Sequence, residues 1–521
     1  MKAIILLLIL GQLPYKAVKP KIEIRHDSVF VNFKTANFST DPNVFYGEVP
    51  YPETPRPFFL DYDRNVWSKK VDTLHSLYLR DIKPGRLYHY QVSYIDTVRK
   101  VECASREYFF RIIQDGDGHL KEGVVITDGP YLSIFSTKDY GIFFWTNYES
   151  RAWVEIDNKK ISDNTISRKH EIYLKDLHGG EKKYRVIVVS GVDTFYTPIY
   201  KFHVKENGSD LKFLVAGDSR ASWRYPAASY RINGVNFDIL RLLMLNAYRE
   251  RVDFVILLGD LISGVTQSRE YGELQYRTYL NAMWPFDAFI PVLHVPGNHD
   301  MTAPYIKKGD IRLDPEPPNS AEDLWKEVFM LPENGPQAEE GKPPYKENVY
   351  YVDIGNARIV VLNVDYNYTR GKGGKLSPAL DKTQLEWLKK VLKDNKKEHL
   401  FVCFHEPAYP LGPHIGSSLD AKLRERNLLW DLLSEYLPDA VLVAHEHFYA
   451  RMLTPGNIWQ VITGRAGAPL YTTDVTKIPE DIKLFKFSKE FHYCLIETEN
   501  NKSYLTVKTF TGDTLDSCEL R

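Results

Sequence analysis

Five short apolar runs between residues 211 and 447 each stop on residues of metal-ligand type, and nothing else in this chain restricts its fold so much. The run 211–216 leads into Gly217-Asp218-Ser219-Arg220, and 252–258 into Gly259-Asp260. A third, edged by Pro291 and Pro296, leads into Gly297-Asn298-His299-Asp300. The fourth ends in Phe404-His405-Glu406-Pro407 and the fifth in Ala444-His445-Glu446-His447. A continuous apolar run of this length is the mark of a strand buried on both faces. Apolar residues at helical spacing lie between them at 237–248, 273–283, 321–330 and 378–393. That alternation predicts an α/β domain whose strands feed loops at their carboxyl ends. Gly297 lets its loop turn tightly, so that neighbouring side chains face one point instead of alternating across a strand.

Each element alone says little. An Asp after a strand is usually a turn former, and a buried His is more often a satisfied core residue than a ligand. Five in this order, each at a strand end, are not coincidence. Carboxylates, an amide oxygen and imidazoles form a hard-to-borderline donor set, suited to Mn, Fe or Zn rather than to a thiolate-bound structural zinc. Two carboxylates and three imidazoles can hold two ions that share one carboxylate. Ions about 3.5–4 Å apart clamp the attacking and leaving oxygens of a phosphoryl displacement.

At 521 residues the chain is too long for one ordinary domain. The first part, about 21–113, consists of short Val/Ile/Phe/Tyr-rich strands between Pro, Gly and Asp turns, and a Gly/Asp-rich connector follows at 115–118. The region 124–205 repeats this grammar, down to a shared turn, a Tyr-containing strand and a further strand. Both read as β-sandwiches of the fibronectin type III kind, and 13% aromatic content, with 34 Tyr, fits β-rich modules. Neither carries a ligand cluster, so a structural or adhesive role, including glycan or cell-surface contact, is expected of them. The expected layout is a signal segment 1–19, sandwiches at 20–116 and 117–207, and an α/β domain at 208–521. The polar stretch 301–346 is a candidate lid or substrate-facing insertion. The tail 492–520 is strand-like and is expected to finish a second sheet.

With 67 basic and 68 acidic residues the formal net charge is −1, so no whole-protein field attracts nucleic acid or an anionic membrane. Lys2 followed by the apolar residues 3–10 and a small residue near 17 predicts a secretory signal, hence a secreted or envelope location. No segment reaches the ~18 uninterrupted apolar residues of a membrane span. Cys103, Cys403, Cys494 and Cys518 form no C-x-x-C pair, which excludes a thiolate metal site. Cys494 with Cys518, both in the terminal segment, is the one disulfide to consider.

The motif order resembles that of the calcineurin-like metallophosphoesterases: Asp, Gly-Asp, Gly-Asn-His-(Asp/Glu), His, Gly-His-x-His. With the preceding sandwich, Gly129-Pro130-Tyr131-Leu132 and Ile462-Thr463-Gly464-Arg465-Ala466-Gly467-Ala468-Pro469, the layout is similar to purple acid phosphatases. The resemblance implies a multidomain protein whose all-β sandwiches precede a four-layer α/β/β/α metallophosphoesterase domain with a dinuclear centre. It places Asp218 and His447 on the first metal, Asp260 bridging both, and Asn298, His405 and His445 on the second. His299 would lie beside the scissile group, held by Asp300, to stabilise or protonate the ester oxygens. His414 falls where the purple enzymes place another substrate-facing histidine.

Two departures stand out. Arg220 occupies a position where many members have His, and Ser263 one where the purple enzymes have Tyr. Arg cannot be a ligand, and its fork suits phosphate oxygens, so Arg220 is expected to bind substrate. The implied activity is metal-dependent hydrolysis of a small phosphate monoester by a metal-bound hydroxide, with two Fe, Mn or Zn ions. Phosphodiester or nucleotide hydrolysis at the same site is the first alternative. A degenerate phosphatase acting as an extracellular binding protein is the second.

Overall fold

The computed structural model describes residues 18–49, 62–221, 231–264, 268–301, 320–366, 378–469, 475 and 478–521. The expected signal segment lies outside them, apart from its last two residues. No helix among the described residues is long and apolar enough to cross a membrane.

Each β region is built around one long strand that changes partners midway. Ser28–Glu48 pairs with Asp72–Leu79 through Val29–Ser39, then with Leu87–Asp96 through Ser39–Glu48. Tyr140–Ile156 pairs with Ile126–Ile134 and Ser167–Leu174 through its first part, then with Gly180–Ser190 from Arg151 onward. Burial follows the pleat: Asp72–Leu79 buries His75, Leu77 and Leu79 and turns Leu74 and Tyr78 outward.

The change of partner uses the same side chains in both regions. Phe33 lies opposite His75 in register, and Phe144 opposite His170. Thr35 Oγ1 meets Ser39 Oγ at 3.2 Å, and Ser39 Oγ meets His75 Nε2 at 2.7 Å. Thr146, Ser150 and His170 repeat this at 3.2 and 3.1 Å. A strand leaving one partner frees backbone groups that burial would otherwise orphan. Thr35 and Thr146 act at that point, donating to the carbonyls of Asn37 and Tyr148. The stretch 115–118 corrects an expectation. It is the turn of a hairpin between Tyr108–Gln114 and Leu120–Glu122, not a linker.

Beyond residue 210 the described residues form two large sheets and a two-stranded ribbon of Arg231–Ile232 with Val235–Asn236. The first runs Val292–His294, Phe254–Leu257, Lys212–Ala216, His492–Glu499, Lys502–Thr509, Thr514–Glu519. The second runs Tyr350–Ile354, Ala357–Val361, His399–Cys403, Ala440–Val443, Ile458–Thr463, Tyr449–Thr454, Lys483–Ser488. Strands preceding the ligand loops are parallel within each sheet, so the loops emerge at one end. Phe213 of the first sheet meets Phe401 of the second edge-on at 5.3 Å, and one apolar cluster joins both sheets to the second β region. The first β region has a core of its own.

The strand-like tail does complete one of the two sheets: His492–Glu499 pairs antiparallel with Lys212–Ala216 and extends the first. Two further expectations change. Cys494 and Cys518 lie opposite Val507 and Leu505, on the two strands flanking Lys502–Thr509. Two strand spacings, roughly 9.5 Å, exceed the ~7 Å reach of a disulfide, and all four cysteines are free. The described part of the 301–346 stretch is no lid. Trp325 of the helix Ala321–Val328 is buried beneath Tyr276 and donates Nε1–H to the Glu347 carbonyl at 2.8 Å; residues 302–319 lie outside the described part.

Candidate metal centre

All five ligand loops meet where the two sheets open. Asp218, Asp260 and His445 hold positive φ of 60°, 51° and 64°. For residues other than glycine such angles are strained and gather at functional sites. The strain is held by tight packing. Gly297 passes so close to Asp260 that a Cβ would lie 2.4 Å from its nitrogen and 2.7 Å from its Oδ1.

Asp260, His405 and His445 offer ligand atoms that all lie within 4.8 Å of one another. His405 Nδ1 bonds the Leu258 carbonyl at 2.7 Å, which turns Nε2 inward, 3.3 Å from Asp260 Oδ1. His445 Nδ1 lies 3.2 Å from that Nε2, and its own Nε2 faces Glu406 at 3.7 Å. A carboxylate behind a ligating imidazole is the usual outer support of a metal. Asn298 Oδ1 is buried without a hydrogen-bond partner. Burial opposes charge on His405, yet Asp260, Asp218 and Asp365 win and push it up to about 10. Burial likewise opposes ionisation of Asp260, which His299, His405 and Arg220 nevertheless hold well below the carboxylate range. Inward lone pairs, an orphaned amide oxygen and excess negative charge fit a divalent cation bound by Asp260, Asn298, His405 and His445.

Asp218 and His447 form a second group. Asp218 Oδ2 accepts the His445 N–H at 2.8 Å. Its Oδ1 is 3.3 Å from His447 Nε2 and has no hydrogen-bond partner. The 464–469 loop wraps this group: Ala466 and Ala468 donate to the carbonyls of Gly217 and Asp218, and Pro469 O accepts from His447 Nδ1 at 2.6 Å. Arg220 reaches into it, donating from Nε to Asp260 Oδ2 at 3.0 Å and from Nη2 toward His447 Nε2 at 3.4 Å. Two of its donors are thus spent on the site itself, and the rest of its fork is what remains for the substrate role expected of it. Ser263 adds no ligand, because its hydroxyl donates to the carbonyls of Ala221 and Gly234.

His299 borders the centre, with Nε2 3.9 Å from Asp260 Oδ2. Its Nδ1 donates to the Ser263 carbonyl at 2.6 Å. Asp300 therefore does not hold the ring; its Oδ2 instead accepts the N–H of Gly297 at 2.9 Å and of Leu261 at 3.3 Å. Burial, then the Arg220 charge, lower His299 to about 4. His414 stands against His445, ring centroids 4.0 Å apart.

Sequence reasoning passed over three carboxyls. Glu446, the residue between the paired histidines, accepts the N–H of Leu411 at 2.7 Å, Gly412 at 2.8 Å and His414 at 3.3 Å, and so carries the His414 loop. Asp365 and Glu406 are buried side by side; burial first, with the Asp260 charge opposed by His405, lifts Asp365 to about 7, and burial and the Asp365 charge lift Glu406 well above the usual range. Glu406 and Glu446 could have been suspected from their positions beside His405, His445 and His447. Asp365 follows a strand without any other signal.

The family model for calcineurin-like phosphoesterases matches residues 211–449. This chain carries a calcineurin-like phosphoesterase domain. As a metallophosphoesterase it is a phosphoric ester hydrolase. A purple acid phosphatase isolated from yellow lupin (Lupinus luteus) seeds superposes with a TM-score of 0.60 at 15% identity, over 94% of this chain and 92% of that one. PhoD superposes with a TM-score of 0.54 at 12% identity, over 76% of this chain and 92% of that one. At such identities the likeness is one of fold. A search of curated proteins finds no match.

Proposed function

We propose that this metallophosphoesterase hydrolyses small phosphate monoesters, with Asp260, Asn298, His405 and His445 holding a divalent metal. The observation that carries the reading is the buried convergence of Asp260, His405 and His445, beside an unpartnered Asn298 Oδ1. A bound ion supplies Lewis-acid stabilisation of the phosphoryl oxygens and lowers the pKa of water. The chain's own residues do the rest. His299 is aimed by the Ser263 carbonyl so that Nε2 faces the centre, where it can exchange a proton with an ester oxygen. Its lowered pKa belongs to the empty-handed ring; a phosphate dianion alongside would favour the imidazolium. Arg220 and His299 both border Asp260 and His414 stands against His445, so a fixed guanidinium and two imidazoles are at hand for phosphate oxygens, which favours the monoester. The two β regions are read as fibronectin type III-like supports for a four-layer α/β/β/α domain.

Turnover of p-nitrophenyl phosphate against bis-p-nitrophenyl phosphate, with and without chelator, tests this. Chelator-sensitive release from the monoester is expected, and faster release from the diester would reassign the substrate. His405→Ala should lose metal and turnover together. His299→Ala should keep its metal while turnover falls about 10²- to 10⁴-fold; metal loss in that variant would make His299 a ligand.

A further inference from the structure

The first of the two metal positions implied by the motif order is spanned by an arginine. Arg220 is fixed at its backbone, donating its N–H to the Asp260 carbonyl at 3.1 Å and bridging to Val235. From there the side chain runs inward, one-tenth exposed, into the space between Asp260 and His447. Its Nε–H takes Asp260 Oδ2. Its Nη2 takes His447 Nε2, the acceptor nitrogen of a ring whose Nδ1–H is committed to Pro469 O.

These are the lone pairs a first metal would need. A first-row ion binds imidazole nitrogen and carboxylate oxygen at about 2.0–2.2 Å, and a lone pair serving an N–H donor is not free to bind it. Arginine also brings a fixed positive charge, which repels a second cation in the same space. What remains of the first donor set is small. Asp218 Oδ1 is unpartnered, while the Ser263 hydroxyl, where a phenolate would have added a ligand, is turned to the carbonyls of Ala221 and Gly234. Among the described residues one carboxylate oxygen is left for an ion that normally takes four donors or more. The other set lies clear of the guanidinium, although Asp260 Oδ1 gives one lone pair to the His299 N–H at 2.9 Å. Asp260 Oδ1, His405 Nε2, His445 Nδ1 and Asn298 Oδ1 make no contact with Arg220.

We propose that the chain works with a single metal ion, at Asp260, Asn298, His405 and His445, and that the Arg220 guanidinium is the resident cation of the other position. This rests on the metal-dependent reading above. It assigns Arg220 two tasks: it neutralises the Asp218–Asp260 carboxylate pair in place of an ion, and it offers its uncommitted N–H groups to a phosphate oxygen. Two of its five donors are used within the described residues, which leaves a planar edge of the kind that binds phosphate.

Metal stoichiometry tests the proposal without relying on activity. The full-length protein, stripped with chelator and titrated with Mn(II), is followed by elemental analysis after dialysis and by electron paramagnetic resonance. The expected result is one equivalent of Mn(II) with the signal of an isolated ion. Arg220→His, which replaces the guanidinium with an imidazole ligand, should take up a second equivalent and show coupling between neighbouring ions. Should that variant not fold, His447→Ala decides: one equivalent retained supports the proposal, because His447 is then no ligand. Two coupled equivalents in the unaltered chain, or metal lost from His447→Ala, overturn the proposal and leave the hydrolase reading standing. No metal bound and no hydrolysis of p-nitrophenyl phosphate would instead sink the metal-dependent reading itself.

Discussion

At the scale of single residues, the centre is held in place by backbone as much as by ligands. Asp218, Asp260 and His445 sit at positive φ, and glycine loops pass close behind Asp260, at Gly297, and Asp218, at Gly464. Gly297 is the tightest such contact, because the nearest atoms to a new Cβ are Asp260 N at 2.4 Å and Oδ1 at 2.7 Å. The nearer atom is backbone, so Asp260 itself would have to move. Gly297→Ala is expected to leave the fold intact and to weaken metal binding by about 1–3 kcal/mol, the usual cost of overpacking. Metal titration monitored by equilibrium dialysis checks this; an unchanged affinity would mean the loop yields elsewhere.

At the scale of elements, the two sheets are tied together at the end away from His405 and His445. His399 opens the strand whose other end leads to His405, and its Nδ1 meets Asp439 Oδ1 at 2.7 Å while Nε2 meets the Asn500 carbonyl at 2.7 Å. Asp439 also accepts from Leu400 N–H at 2.9 Å and Ser503 Oγ at 2.7 Å. Burial opposes charge on both partners. The bonds to Asp439 and Asn500 still raise His399, and those from His399, Leu400 and Ser503 still lower Asp439. The raised His399 stabilises fully below its ordinary 6.5 and loses that contribution as pH rises through its folded value. The lowered Asp439 stabilises above its ordinary 3.8 and loses its share as pH falls through its folded value. The pair therefore contributes most between those two pH values. His399→Gln should cost about 1.5–3 kcal/mol there, as for hydrogen bonds to charged groups, and less at pH 8. Urea unfolding at pH 5.5 and pH 8 measures the difference; equal losses would show that charge on His399 plays no part.

At the scale of the whole molecule, buried charge joins the β regions to the catalytic domain. Asp128 is bound by Arg106, from the end of the first β region, and by Arg277, from the helix Arg269–Met283. Nearby, Arg241 donates to Glu107 at 2.8 Å and Glu107 N–H to Asn281 Oδ1 at 3.2 Å. Burial works against charge on Asp128, but the two guanidinium groups hold it below the usual range. Removing one member of such a network leaves uncompensated charge in low dielectric. Asp128→Asn is therefore expected to destabilise the chain by about 3–5 kcal/mol, read as a lower midpoint in denaturant unfolding. A loss below ~1 kcal/mol would mean water reaches the two arginines.

The strand-end ligand residues and the alternation of the α/β domain are legible without coordinates, because burial on both faces and helical spacing are local patterns. The strands Lys212–Ala216, Phe254–Leu257 and Ala440–Val443 fall within or beside the runs that announced them. The repeated strand grammar of the N-terminal half was also legible. The matched Thr, Ser and His that close each change of partner were not, since His75 lies 36 residues from Ser39 and His170 only 20 from Ser150. Pairing across sequence distance was decided by the tertiary structure alone. So the tail joined the first sheet, Cys494 and Cys518 came to lie two strands apart, and the Ser263 carbonyl rather than Asp300 came to hold His299. Arg220 shows the limit most clearly. Its charge and its inability to bind metal are properties of arginine, but where that charge lies depends on which lone pairs the folded loops bring within 3.0 and 3.4 Å of it.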